Sequence, residues 1–145
     1  MNAQATSWPL AAAHEIAVDT SVLMAIVLRE EGMEVLVRRM AQARQVMMST
    51  ASLLEARIVI QKRKANAGLD ELNQLFKDFP IEMVCPDQEQ IDVATEAFLI
   101  YGKGNGHKAQ LNFGDLFSYA LAKSRGIPLL YKGEDFALTD IVSAV

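Results

Sequence analysis

The chain has 145 residues, 51% of them hydrophobic and 22% charged, with one cysteine and a formal net charge of −4. That length holds one domain with a sizeable core, and the composition excludes a disordered chain. The single cysteine, Cys85, excludes an intrachain disulfide, and no apolar run reaches the roughly 18 residues of a membrane span, so the default is a cytoplasmic protein without a membrane partner.

Residues 1–14, within MNAQATSWPLAAAHE, carry neither a basic segment nor a long apolar stretch and read as a loosely ordered leader rather than a signal peptide. Trp8 in it caps an apolar patch or stays exposed, and the leader is assigned no role. The domain proper is placed at 15–145. IAV (16–18) is a strand stopping at Asp19, followed by a helix with Val22, Leu23, Ile26 and Val27 on one face. After Gly32, Met33, Leu36, Val37 and Met40 form a second stripe. The apolar faces of these helices, 21–31 and 33–43, serve the core or a groove for a partner. QVMMS (45–49) is a strand running into a helix from Thr50 to Ala65, with Ser49 or Thr50 as N-cap and Gly68 as its stop. Leu69, Leu72, Phe76 and Phe79 mark the next helix, and IEMVC (81–85) a strand in which Cys85 reads as a buried, inert thiol. A helix from Pro86 puts Ile91, Ala94, Phe98 and Tyr101 on one face. GKGNGHKAQ (102–110) is a polar loop, Phe113 to Leu121 a helix ended by Gly126, and PLLY (128–131) the fourth strand. Strands reading as continuous apolar runs between helices predict an α/β fold: a single three-layer α/β/α domain with a mostly parallel central sheet.

Sites in such sheets form beyond the carboxyl ends of the strands. Asp19 ends the first strand, Glu55 lies one turn into the helix after the second, and Asp135 follows the fourth. Asp115 stands near the start of the helix after the glycine-rich loop. Separations of 36, 60 and 20 residues mean that only folding could unite them. Taken singly, each is more simply read as a cap or helix-dipole partner. Taken together they repel, by about 4 kcal/mol for two charges about 4 Å apart at an effective dielectric of about 20, and call for raised pKa values or a cation. Oxygen-only donors suit Mg²⁺ or Mn²⁺, which acidify water and neutralise phosphate charge, so the set fits phosphodiester hydrolysis.

The segments AVDTSVLMAIVLREEG, STASLLEA, AQLNFGDLFSYALAK and LLYKGEDFALTDI resemble the VapC-type toxins of the PIN-domain ribonuclease family over residues 16 to 141. The resemblance implies a PIN-like fold and a metal-dependent endoribonuclease, the toxin of a type II toxin–antitoxin pair, with Asp19, Glu55, Asp115 and Asp135 as catalytic and metal-binding quartet for Mg²⁺ or Mn²⁺. Ser21 would support the site through its hydroxyl, and Asn112 would order the loop. Glu134, directly before Asp135, and Asp140 are further candidate acids. The partners implied are an RNA substrate, a VapB-type antitoxin and a second copy in a homodimer.

Several features carry plainer readings beside these. GKGNGHK lacks the spacing of a nucleotide-binding loop, and serves as an RNA contact or a solvated connection. His107 alone supports no acid–base role. Basic residues cluster at Arg38/Arg39/Arg44, Arg57/Lys62/Arg63/Lys64 and Lys103/His107/Lys108, so the net negative charge does not exclude RNA. Arg57 and Lys62–Lys64 form a solvated helix face; alternatively Arg57, two residues from Glu55, sits near the substrate entrance. Two rival functions remain: a phosphohydrolase with Asp19 as nucleophile, which lacks the acid it needs at position 21, and a non-catalytic PIN-like module that binds RNA or protein.

Overall fold

The computed structural model describes residues 15–145; the expected leader, residues 1–14 with Trp8, lies outside them. Strands β1 (Glu15–Val18), β2 (Gln45–Ser49), β3 (Ile81–Val84) and β4 (Leu129–Leu130) form one sheet in the order β3-β2-β1-β4, and every pairing is parallel. The helices are α1 (Thr20–Val27), α2 (Met33–Gln42), α3 (Thr50–Asp78), α4 (Gln88–Tyr101) and α5 (Phe113–Arg125), with a 3₁₀ turn at Phe136–Leu138.

The two-residue period of the strands divides the core into two halves. Ile16, Val18, Val46, Met48 and Leu130 face α1, α2 and α3, meeting Val22, Leu23, Leu36, Met40, Ile60 and Leu72. Ala17, Met47, Val84 and Leu129 face the other way, meeting Ala97 of α4 and Tyr119 and Leu121 of α5. Helices on both faces explain why the strands are apolar throughout, and this is the three-layer arrangement expected. The apolar face of α1 is spent mostly on the core (Val22, Leu23, Ala25, Val27), while Ile26 and Val27 also border an open groove with Met33 and Leu75.

Three local expectations change. The helix from Thr50 ends at Ala65 as expected, where non-helical backbone (φ 52°, ψ −145°) breaks the run Thr50–Asp78, but Gly68 is not its stop and sits inside the second half. Gly68 is there for close approach, since a Cβ on it would lie 2.7 Å from Ile60 Cγ2 and 2.7 Å from Lys64 Cβ. In α4 the buried positions are Gln90 and Ala97, with Val93 and Tyr101 packed beside them. Ile91 (41% exposed) and Phe98 (42%) turn outward, because the small Ala97 lets α4 lie close on α5 where Phe98 would not. Cys85 is exposed, one residue past the end of edge strand β3, and not buried as expected.

Gly68→Ala should lower the melting temperature. Overpacking costs about 1–3 kcal/mol and the helix-propensity gain of about 1 kcal/mol offsets only part. A drop of up to about 8 °C in a thermal melt is expected; a raised midpoint would mean that the two halves of α3 spread freely.

Residues 142–144 run alongside β4. Leu129 N–H donates to Val142 O (2.8 Å), Ala144 N–H donates to Leu129 O (2.9 Å), and Arg39 Nε donates to Ala144 O (2.5 Å). Ser143 Oγ both donates to Val145 O and accepts from Val145 N–H. The basic run of α3 divides: Lys62 and Arg63 are solvated, whereas Lys64 Nζ reaches Val27 O (3.3 Å) at the end of α1 and Glu71 (3.0 Å). Among the described residues no helix is long and apolar enough to cross a membrane.

Candidate active site

Because the strands are parallel, β1, β2 and β4 deliver their following residues to one side of the sheet. Asp19 leaves β1 there as N-cap of α1, only 4% exposed. Its Oδ2 accepts from Ser21 N–H (3.0 Å) and its Oδ1 from Ser118 Oγ of α5 (2.5 Å). Ser118 Oγ also lies 3.1 Å from Ser52 Oγ in the first turn of α3, and Thr20 Oγ1 donates to Ser52 O (2.9 Å).

Asp115 is placed by a capping box. Its N–H donates to Asn112 Oδ1 (2.9 Å), and its Oδ2 accepts from Asn112 N–H (3.0 Å), so the N-cap of α5 orients the carboxylate as well as starting the helix. Asn112 thus acts on Asp115 directly. Glu55, half-buried one turn into α3, lays its carboxylate over Gly114. A Cβ on Gly114 would fall 2.6 Å from Glu55 Cδ and 2.6 Å from Oε1, with Oε2 closer still. Only glycine beside Asp115 leaves room for the second acid.

Asp135 opens the 3₁₀ turn and is exposed. Ser21 holds its loop: Ser21 Oγ accepts from Lys132 N–H (3.0 Å), while Lys132 Nζ pairs with Glu30 (2.9 Å). Glu134 is also exposed. Asp140 is engaged elsewhere, accepting from Tyr119 Oη (2.5 Å) and Lys123 Nζ (2.7 Å). Burial would raise its pKa, but those two donors outweigh it and hold the carboxyl below its usual value.

The grouping is felt at Asp115. Burial first, and then the charges of Asp19, Asp135 and Glu55, push its carboxyl up to about 7 against the opposing Asn112 N–H bond. Asp135 is one of the charges acting on Asp115. Among the described residues no three acidic, histidine or cysteine side chains form a ready-made cation cage. The chemistry of the set nonetheless fits a hard divalent cation: the donors are all carboxylate oxygens, and a cation would relieve the repulsion at Asp115.

The loop 102–110 feeds directly into Asn112 and is braced from within. Lys103 N–H donates to Leu111 O (2.8 Å), Leu111 N–H to Tyr101 O (2.9 Å), and Asn105 Nδ2 to Phe98 O (2.6 Å). His107 accepts from Ala109 N–H through Nδ1 (3.0 Å) and stands edge-on to Tyr101 at 4.9 Å. Those contacts brace the imidazole against the loop and α4, while Lys103 and Lys108 face solvent. Arg57 is exposed and lines an open groove with Ile58, Gln61, Leu69 and Asn73. Sequence reasoning missed Ser52, Gly114 and Ser118. The signal for the serines was their spacing, Ser52 three residues before Glu55 and Ser118 three after Asp115, which puts each on its acid's helix face.

Residues 16–142 match the PIN domain family. The chain is 46% identical over 126 residues to "Ribonuclease VapC" of Mycolicibacterium smegmatis, covering 87% of this chain and 97% of the relative. It is 40% identical over 124 residues to "Ribonuclease VapC42" of Mycobacterium tuberculosis, covering 86% and 95%. In fold it resembles VapC20 of Mycobacterium tuberculosis, described as a sarcin-ricin loop cleaving toxin, with a TM-score of 0.70 at 18% identity over 88% of this chain and 96% of the other. VapBC2 from Rickettsia felis, solved bound to a DNA fragment from its promoter, gives a TM-score of 0.64 at 14% identity, covering 89% and 96%. The chain belongs to the PIN-domain family and, within it, to the VapC proteins.

Proposed function

We propose that this protein is a Mg²⁺- or Mn²⁺-dependent endoribonuclease, the toxin of a type II toxin–antitoxin pair, working in the cytoplasm with Asp19, Glu55, Asp115 and Asp135 as its cation ligands. The observation that carries the reading is the placement of the Glu55 carboxylate against Gly114, beside Asp115, in a chain 46% identical to a VapC ribonuclease; burial and the charges of the other acids raise the Asp115 carboxyl accordingly. When bound, the cation supplies charge neutralisation for a phosphodiester and a lowered pKa for water. The protein's part is placement. Asn112 aims Asp115, Gly114 admits Glu55, and Ser21 ties the loop of Asp135 to the start of α1. Exposed Lys103, Lys108 and Arg57 offer positive charge for an RNA backbone. A homodimer and a VapB-type antitoxin belong to the same proposal, supported by the exposed apolar residues Leu54 (60%), Ile58 (46%) and Phe113 (77%) close to the acids in sequence.

The rival reading, a PIN-like module that binds without cutting, is favoured by the lack of a preformed cage among the described residues. Incubating the purified chain with a labelled RNA pool separates the two. Cutting that needs Mn²⁺ or Mg²⁺, stops with a chelator and returns with excess cation is the expected result. RNA left intact at every cation concentration would favour the binding module.

A further inference from the structure

We infer that Ser118, seated on Ser52, is a positioning residue that holds Asp19 in its cation-binding orientation and so sets the affinity of the site; the inference rests on the cation reading above. Both hydroxyls are buried, each residue 1% exposed. A serine in mid-helix usually faces water or returns its hydroxyl to its own helix. Ser118 instead reaches out of α5 to Asp19 Oδ1 at 2.5 Å, across 99 residues of sequence.

A hydroxyl has one proton to give. With that of Ser118 donated to Asp19, the contact of 3.1 Å to Ser52 Oγ is made with Ser52 as donor. The bonds therefore run one way, Ser52 to Ser118 to Asp19. Ser52 is itself tied through its carbonyl to Thr20, the neighbour of Asp19. α1, α3 and α5 are thus joined at one buried point. Asp19 has one hydrogen bond on each oxygen, from Ser21 N–H and Ser118 Oγ, which fixes its carboxylate and leaves acceptor capacity on both oxygens for a cation. α5 contributes twice: Asp115 as a ligand and, one turn later on the same face, the hydroxyl that aligns a ligand from β1.

Outer partners of this kind are worth about 10–100-fold in metal affinity. The test is Mn²⁺ titration of the full chain, following free Mn²⁺ by electron paramagnetic resonance, with melting temperatures in chelator as a separate readout. Ser118→Ala should weaken Mn²⁺ binding about 10–100-fold. Ser52→Ala should weaken it less, and adding it to Ser118→Ala should change little, because Ser52 acts through Ser118. A Ser118→Ala variant that melts lower yet binds Mn²⁺ as the wild type does would reduce Ser118 to a packing residue and overturn the inference. Fully additive losses in the double variant would overturn the relay. Should Ser118→Ala fail to fold, Ser52→Ala decides alone: wild-type affinity there overturns the inference. A wild-type chain that takes up no Mn²⁺ at millimolar concentration would overturn the cation reading and this inference with it, an outcome distinct from equal binding by wild type and variant.

Discussion

Asp115→Asn is expected to lower RNA cleavage by at least about 100-fold while raising the melting temperature of the chelated protein at pH 8. The side chain keeps its size and an oxygen to accept from Asn112 N–H, so the capping box can survive. What disappears is a charge confined with three others. The Asp115 carboxyl rises from 3.8 to about 7 on folding. Between those values the folded chain holds more protons than the unfolded one, so stability falls as pH rises through that window. The asparagine variant lacks this penalty. Its advantage in melting temperature should be largest above pH 7, shrink as pH falls toward 4, and amount to a few degrees at about 2–4 °C per kcal/mol. Saturating Mn²⁺ should reverse the order, since only the wild type retains the full set of ligands. Equal melting of the two chelated proteins at pH 8 would show that the acids do not strain the fold, and retained cleavage would remove Asp115 from the site.

Gly114→Ala is the second large effect, and its value lies in separating activity from folding. The added methyl would occupy the place of the Glu55 carboxylate, 2.6 Å from Cδ. What it meets is the far end of a flexible side chain, so Glu55 can swing away at small cost to the fold. Alanine in a helix is also favoured over glycine by about 1 kcal/mol. The variant should therefore melt at or slightly above the wild-type temperature while cleavage drops by about 100-fold, the scale of a displacement near 1 Å at a reacting centre. Glu55→Ala in the same assay should lose a similar amount, and the two changes together little more. Additive losses would mean that Gly114 serves something other than Glu55.

The sheet was legible because strands buried on both faces leave uninterrupted apolar runs; 45–49 coincides with β2, and 81–85 overruns β3 by one residue. Helix detail was less so. Gly68 looks like a stop from its residue type alone, whereas its purpose is clearance for Ile60. The outward turn of Phe98 follows from how closely α4 lies on α5, which periodicity within one helix does not record. At the site, the four acids could be picked out by their places after strands and near helix starts, and a known family's motifs added the pairing among them. Ser52 and Ser118 lie 66 residues apart and contact only in the folded chain. Gly114 carries no chemistry to notice, because its contribution is empty space.

The segment 142–144 beside β4 bears on how copies of this protein can meet. An uncovered strand edge presents free amide and carbonyl groups to any passing strand and templates aggregation. Here both main-chain groups of Leu129 on that side are taken, Arg39 fastens the covering segment from α2, and the Ser143 hydroxyl occupies the amide and carbonyl of Val145. A second molecule could not pair with Leu129 without first stripping this cover away. Pairing of a second copy on Leu129 is thus blocked, which leaves edge strand β3 and the helix-lined surfaces for self-association, and on the latter it can close on itself and stop growing.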